Sequence, residues 1–234
     1  MHDAEATGQV RGVLLDTEPL YTEATQAVVG RFGKTYDWSI KRHTMGRDAR
    51  FSARFLLDAL GVPLTPEEFL RERRPILESL LDASPPMRGA EAFVRALHAR
   101  GVPMAVATSS ERALFERKTR GHEWFVLFDA VVCGDDPRVT ARKPAPDIFL
   151  VAASDLGARP SACVVFEDSP AGVEAALAAG MRVVALPDPA LGAEHCRGAH
   201  RVVTGWHEVS PSDLGLGRAA IQPSTATGSG GAES

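Results

Sequence analysis

The chain predicts an α/β fold, a Rossmann-like parallel sheet covered by helices, with a helical cap inserted near its start. Residues 89–204 alternate short apolar runs with helical patterns, which is how a parallel sheet wrapped by helices reads in sequence. Residues 17–83 hold helical patterns and no convincing strand. Before Gly12 the pattern fails: Met1 to Val10 has neither an apolar run nor clean alternation, so the first central strand is expected to be degraded or missing.

In the cap, helices are expected near 17–32, 47–60 and 66–81. Gly61-Val62-Pro63 ends the second. Thr65-Pro66-Glu67-Glu68 opens the third, a hydroxyl N-cap followed by acids. In the α/β part, strands are expected at 104–108, 130–133, 162–166, 182–186 and 201–203. Helices are expected at 90–100, 112–120, 146–156, 171–179 and around 191–196. Gly101, Gly157 and Gly180 stand where helices should stop. The organisation that follows is an atypical N-terminal segment and start of the core (1–16), the cap (17–83), the α/β core (84–217) and a low-complexity tail (218–234) predicted to be disordered.

The bulk numbers exclude several classes of function. A net charge of −4 argues against a nucleic-acid binder that works by general basicity. The short basic clusters Lys41-Arg42-His43 and Arg71 to Arg74 read as solvated helix faces. Cys133, Cys163 and Cys196 are odd in number and form no CxxC, which fits a reducing, cytoplasmic setting. No apolar run approaches the ~18–20 residues of a membrane span, and no signal peptide is evident. A soluble monomer is expected.

Three strand ends supply polar groups. One ends in Thr108-Ser109-Ser110, hydroxyls and amides at a helix start that suit phosphate but also ordinary capping. Another leads through Gly134-Asp135-Asp136 to Arg142-Lys143-Pro144-Ala145-Pro146-Asp147, where two prolines hold a lysine in a rigid turn. Taken alone, Lys143 reads as a surface lysine. The third is Val164-Val165-Phe166-Glu167-Asp168-Ser169-Pro170-Ala171-Gly172. Its two acids either cap the following helix or face a ligand crevice at the carboxyl end of the strand, where a hard cation would sit.

A hydroxyl, a lysine and an acid pair at successive strand ends form a specific combination. With them the chain resembles the haloacid dehalogenase superfamily, in its subgroup with a small helical cap, over about 12–216. Gly12-Val13-Leu14-Leu15-Asp16-Thr17-Glu18 matches the family's entry into the cap. Tyr36-Asp37-Trp38-Ser39, Met45-Gly46-Arg47 and Lys118-Thr119-Arg120 look most like its pseudouridine-5'-phosphatase and glycerol-3-phosphatase branch. The resemblance implies Mg²⁺-dependent hydrolysis of a small phosphorylated metabolite through an aspartyl-phosphate. It implies Thr108 and Ser109 on the phosphoryl group, Lys143 neutralising charge, and Asp168 with Glu167 on the metal. Gly46 and Arg47 would face the leaving group.

The family's nucleophile and its acid/base lie in an Asp-x-Asp pattern just before the glycine that matches Gly12. Here those positions are Gln9 and Arg11. Gln9 is uncharged and a poor nucleophile; Arg11 cannot act as a base and would repel a metal ion. The chain as written is therefore expected to be inactive or an N-terminally altered form of an active protein, and its Mg²⁺ affinity is doubtful. The alternative is a non-catalytic pseudoenzyme that binds a phosphate ligand or a protein partner. A receiver-type signalling domain fits poorly with the inserted cap, and nothing in the sequence favours a sugar-phosphate mutase.

Overall fold

A computed structural model describes residues 6–7, 13–45, 47–189, 191–209 and 214. Strand β1 is Ala6–Thr7, and the first helices are α1 (Glu18–Val29), α2 (Trp38–Thr44), α3 (Ala49–Leu60) and α4 (Pro66–Leu81). The chain continues through α5 (Ala90–His98), β2 (Ala105–Thr108), α6 (Arg112–Thr119), β3 (Ala130–Cys133) and α7 (Asp147–Asp155). It ends with β4 (Cys163–Glu167), α8 (Pro170–Ala178), β5 (Arg182–Ala185) and β6 (Arg201–Val202). The described strands form two parallel sheets, β1-β4-β5-β6 and β2-β3.

All five residues of β4 are buried, as expected of a strand covered on both faces. Period-two geometry still sorts them. Val164 and Phe166 enter one core with Val94 and Leu97 of α5 and with Trp206, while Cys163 and Val165 enter the other with α7 and α8. Strand β5 divides in the same way, Val184 to the first core and Val183 to the second.

The first strand is short rather than missing. Ala6–Thr7 pair in parallel with Cys163 and Val164. Two residues supply little pairing, and among the described residues no pairing joins β1 to β2. The residues around Gln9 and Arg11 lie outside the described part.

Helices α1 to α4 pack on one another around Val28, Ile40, Leu56, Leu57 and Phe69, with a smaller cluster at Ala24, Leu77 and Leu81. Thr65 caps α4 through a reciprocal capping box with Glu68, as its sequence predicts. Helix α2 was not expected. Asp37 caps it by accepting from the Ser39 amide at 2.8 Å, and its basic run had read as surface. The helix expected around 191–196 is a 3₁₀ turn at Ala193–Cys196. Gly101, Gly157 and Gly180 have positive φ (67°, 63° and 74°), the left-handed conformation that stops a helix at no Cβ cost.

The two connections to the helical segment run side by side. Leu15 bridges Pro86 in an antiparallel pair, the Asp16 amide donates to the Pro85 carbonyl at 2.9 Å, and the Met87 amide donates to the Leu14 carbonyl at 2.8 Å. Trp206 secures the first connection by donating its indole N–H to the Val13 carbonyl at 2.7 Å. Its ring packs against Phe93 and Phe166, centroids 4.6 and 4.9 Å away.

Candidate active site

The carboxyl ends of β2 and β4 carry the polar residues picked out in the sequence. Thr108, the last residue of β2, is fully buried, and its Oγ1 accepts from the Ser110 amide at 3.2 Å. The Ser110 carbonyl accepts from the Gly134 amide at 2.9 Å, which ties this loop to the one after β3. A Cβ at Gly134 would collide with the Ser109 carbonyl, so only glycine allows the two loops this approach. The loop after β3 then delivers Lys143, and Ser109 and Lys143 line one small cavity with Asp48 and Arg142.

Lys143 is not a surface lysine. Its residue is 5% exposed, and its Nζ donates to Glu167 Oε1 at 2.5 Å. The ammonium also lies 4.6 Å from the Phe149 ring centroid. Glu167 is equally buried, and its second oxygen accepts from the Asp168 amide, the Ser169 amide and Ser169 Oγ at 2.9–3.0 Å. Burial pushes the Glu167 carboxyl up, but the Lys143 ammonium and the Ser169 donors outweigh it and hold it below its ordinary value. Gly172 makes this packing possible, because a Cβ there would fall inside the Glu167 carboxylate.

Neither acid caps α8. Ser169 does so, accepting from the Gly172 amide at 3.1 Å. Asp168 is buried at the same strand end, 5% exposed.

A cavity of about 420 Å³ opens above the strand ends. Ser109, Ser110, Glu111 and Arg142 line it from the α/β side; Glu18, Tyr21, Tyr36, Lys41, Arg47 and Arg73 line it from the helical side. Arg47 is among them and also lies over the Phe51 ring at 5.1 Å. Gly46 lies outside the described residues. Sequence reasoning missed Lys41 by reading its cluster as solvated. It is 6% exposed, paired with Glu18 at 3.3 Å, and sits 4.4 Å from the Trp38 ring centroid. The available signal was Asp37-x-Ser39, a capping pattern that makes 38–44 helical and turns Lys41 inward.

The family model for haloacid dehalogenase-like hydrolases matches residues 10–180. The chain belongs to the haloacid dehalogenase-like hydrolase family. It is 46% identical over 209 residues to the probable pseudouridine-5'-phosphatase of Drosophila melanogaster, covering 88% of this chain and 90% of that protein. It is 42% identical over 211 residues to the mitochondrial (DL)-glycerol-3-phosphatase 1 of Arabidopsis thaliana, covering 88% and 71%. Among solved structures it resembles CbbY from Rhodobacter sphaeroides in complex with phosphate. The TM-score there is 0.75 at 25% identity, over 91% of this chain and 100% of that one.

Members of this family are typically Mg²⁺-dependent, and of the two acids implied here Glu167 is the less available. Both oxygens of Glu167 are already engaged by Lys143 and by donors at Asp168 and Ser169. Among the described residues no three His, Cys, Asp or Glu side chains stand close enough to hold a metal ion. Of the implied pair, that leaves Asp168, buried at the strand end, to supply a carboxylate; Mg²⁺ usually takes one or two carboxylates and fills its other positions with waters and phosphate oxygens.

Proposed function

We propose that this haloacid dehalogenase-like chain binds a small phosphomonoester, of the nucleotide or polyol phosphate type, and does not hydrolyse it efficiently. The observation that carries the binding half is the buried Lys143–Glu167 pair beside the Ser109 loop. An ammonium in a dry site attracts a phosphate dianion far more strongly than a solvated one. Thr108 and the loop after it would supply hydroxyl and amide donors to the phosphoryl oxygens. Glu167 gives Lys143 its counter-charge and fixes its direction. The helices of 17–83 would act as the cap that closes over the ester, with Arg47 and Lys41 on the side of the leaving group.

Gln9 and Arg11 carry the other half. The parent reaction transfers the phosphoryl group to an aspartate and then to water, and neither residue can take up the nucleophile's or the acid/base role. Likeness to phosphatases of pseudouridine 5'-phosphate and glycerol 3-phosphate supports those two esters as first candidates.

The test is a calorimetric titration with inorganic phosphate alongside a phosphate-ester hydrolysis panel, with and without Mg²⁺. Binding abolished by Lys143→Ala, with no turnover above background, is the expected result. Turnover of any ester by the native chain that disappears in Lys143→Ala would show a working enzyme instead. Absence of phosphate binding would refute the site.

A further inference from the structure

A second buried lysine stands behind the phosphate loop. Lys118, near the end of α6, is only 2% exposed, and its Nζ donates to Ser110 Oγ at 3.2 Å. Ser110 is itself 5% exposed and lines the large cavity. Its amide donates to Thr108 Oγ1 and its carbonyl accepts from the Gly134 amide, at 3.2 and 2.9 Å. Ser110 therefore links three things: the hydroxyl at the end of β2, the loop that delivers Lys143, and the Lys118 ammonium.

Burying an ammonium costs several kcal/mol unless charge or hydrogen bonds offset it. A core that needed only volume at position 118 would be served by Leu or Met. We propose that Lys118 is a positioning residue of the phosphate site. Through Ser110 it fixes the Thr108–Ser110 loop, and its charge adds to the positive potential that the loop presents to a phosphate. Lys118 would not touch the ligand; it would act through the Ser110 side chain and across a low-dielectric core, where charge is poorly screened.

This inference rests on the phosphate-site reading, and the experiment separates the two. Inorganic phosphate is titrated into the full chain and into Lys118→Met, Lys118→Arg, Ser110→Ala and Lys143→Ala, with circular dichroism checking each fold. Lys118→Met is expected to weaken phosphate binding by about tenfold or more, Lys118→Arg to restore most of it, and Ser110→Ala to weaken it a few-fold. Recovery with Arg but not Met follows charge; a merely space-filling role would not produce it. Native affinity in a folded Lys118→Met, with binding lost in Lys143→Ala, would overturn the role of Lys118 alone. If Lys118→Met does not fold, native affinity in Ser110→Ala would overturn it. No binding by the native chain would remove the phosphate site and this inference with it.

Discussion

Glu167 is the residue on which the strand end is organised. Replacing it with Gln leaves the Lys143 ammonium buried without its counter-charge, which costs on the order of 3–5 kcal/mol. Chemical denaturation of Glu167→Gln at neutral pH should show a loss of that size. The pair also fixes the sign of a pH effect. The folded carboxyl titrates below its unfolded value, so its stabilisation is complete above that unfolded value, near pH 4–4.5. It is lost as the pH falls through the lower, folded value. Denaturation midpoints measured from about pH 6 down to about pH 2 should therefore fall more steeply for the native chain than for Glu167→Gln. Gly172→Ala should disturb the same pair from the other side, because its methyl competes with the carboxylate for space. At the missing positions the expectation is a gain: Gln9→Asp with Arg11→Asp should introduce Mg²⁺-dependent ester hydrolysis. A single well-placed acid/base group contributes roughly 10²–10⁴-fold, so a gain below tenfold in an ester assay would refute the missing-aspartate explanation.

At the scale of elements, much of the α/β part was legible. Strand 130–133 matches β3 residue for residue, β2 and β5 differ by a residue at one end, and β4 is shifted by one residue at both. Apolar runs bounded by Gly, Pro and polar clusters mark buried parallel strands well. The strand ends also marked Thr108, Glu167 and Asp168, because polar groups that close an apolar run are conspicuous, whereas Lys143 stood out through its Pro-x-Pro turn and the family resemblance. The partnership of Lys143 with Glu167 was not legible: 24 positions separate them, and only the fold brings β4 against the loop after β3. Helix α2 escaped because seven residues hold barely two turns and its apolar signal is Trp38 and Ile40. Capping devices, in contrast, are local and can be read directly. Thr65→Ala should lower stability by about 1 kcal/mol, measurable as a lower denaturant midpoint with an unchanged slope.

Across the whole molecule, α4 faces α6 through an ionic seam. Arg117 meets Asp82 at 2.6 Å and Glu78 at 3.5 Å, and Arg74 meets Glu111 at 3.5 Å. These side chains are 30–52% exposed, so each pair contributes little to stability and salt screens it. Arg117→Ala should leave the urea midpoint nearly unchanged, where Trp206→Ala, which empties a buried aromatic site and frees the Val13 carbonyl, should cost ~3–5 kcal/mol. The described part of the molecule thus rests on its apolar cores and the buried Lys143–Glu167 pair, with the seam as a weak, salt-sensitive contact between α4 and α6. The bridge between Leu15 and Pro86 bears on how such a chain could have been assembled. Paired residues in an antiparallel ladder stand about 5 Å apart, a gap that a two-residue turn closes. The 70 positions between Leu15 and Pro86 could therefore be excised and the ends rejoined without moving either flank. The joint is a ready-made splice point, at which a different helical segment could be exchanged while the sheet beneath keeps its register.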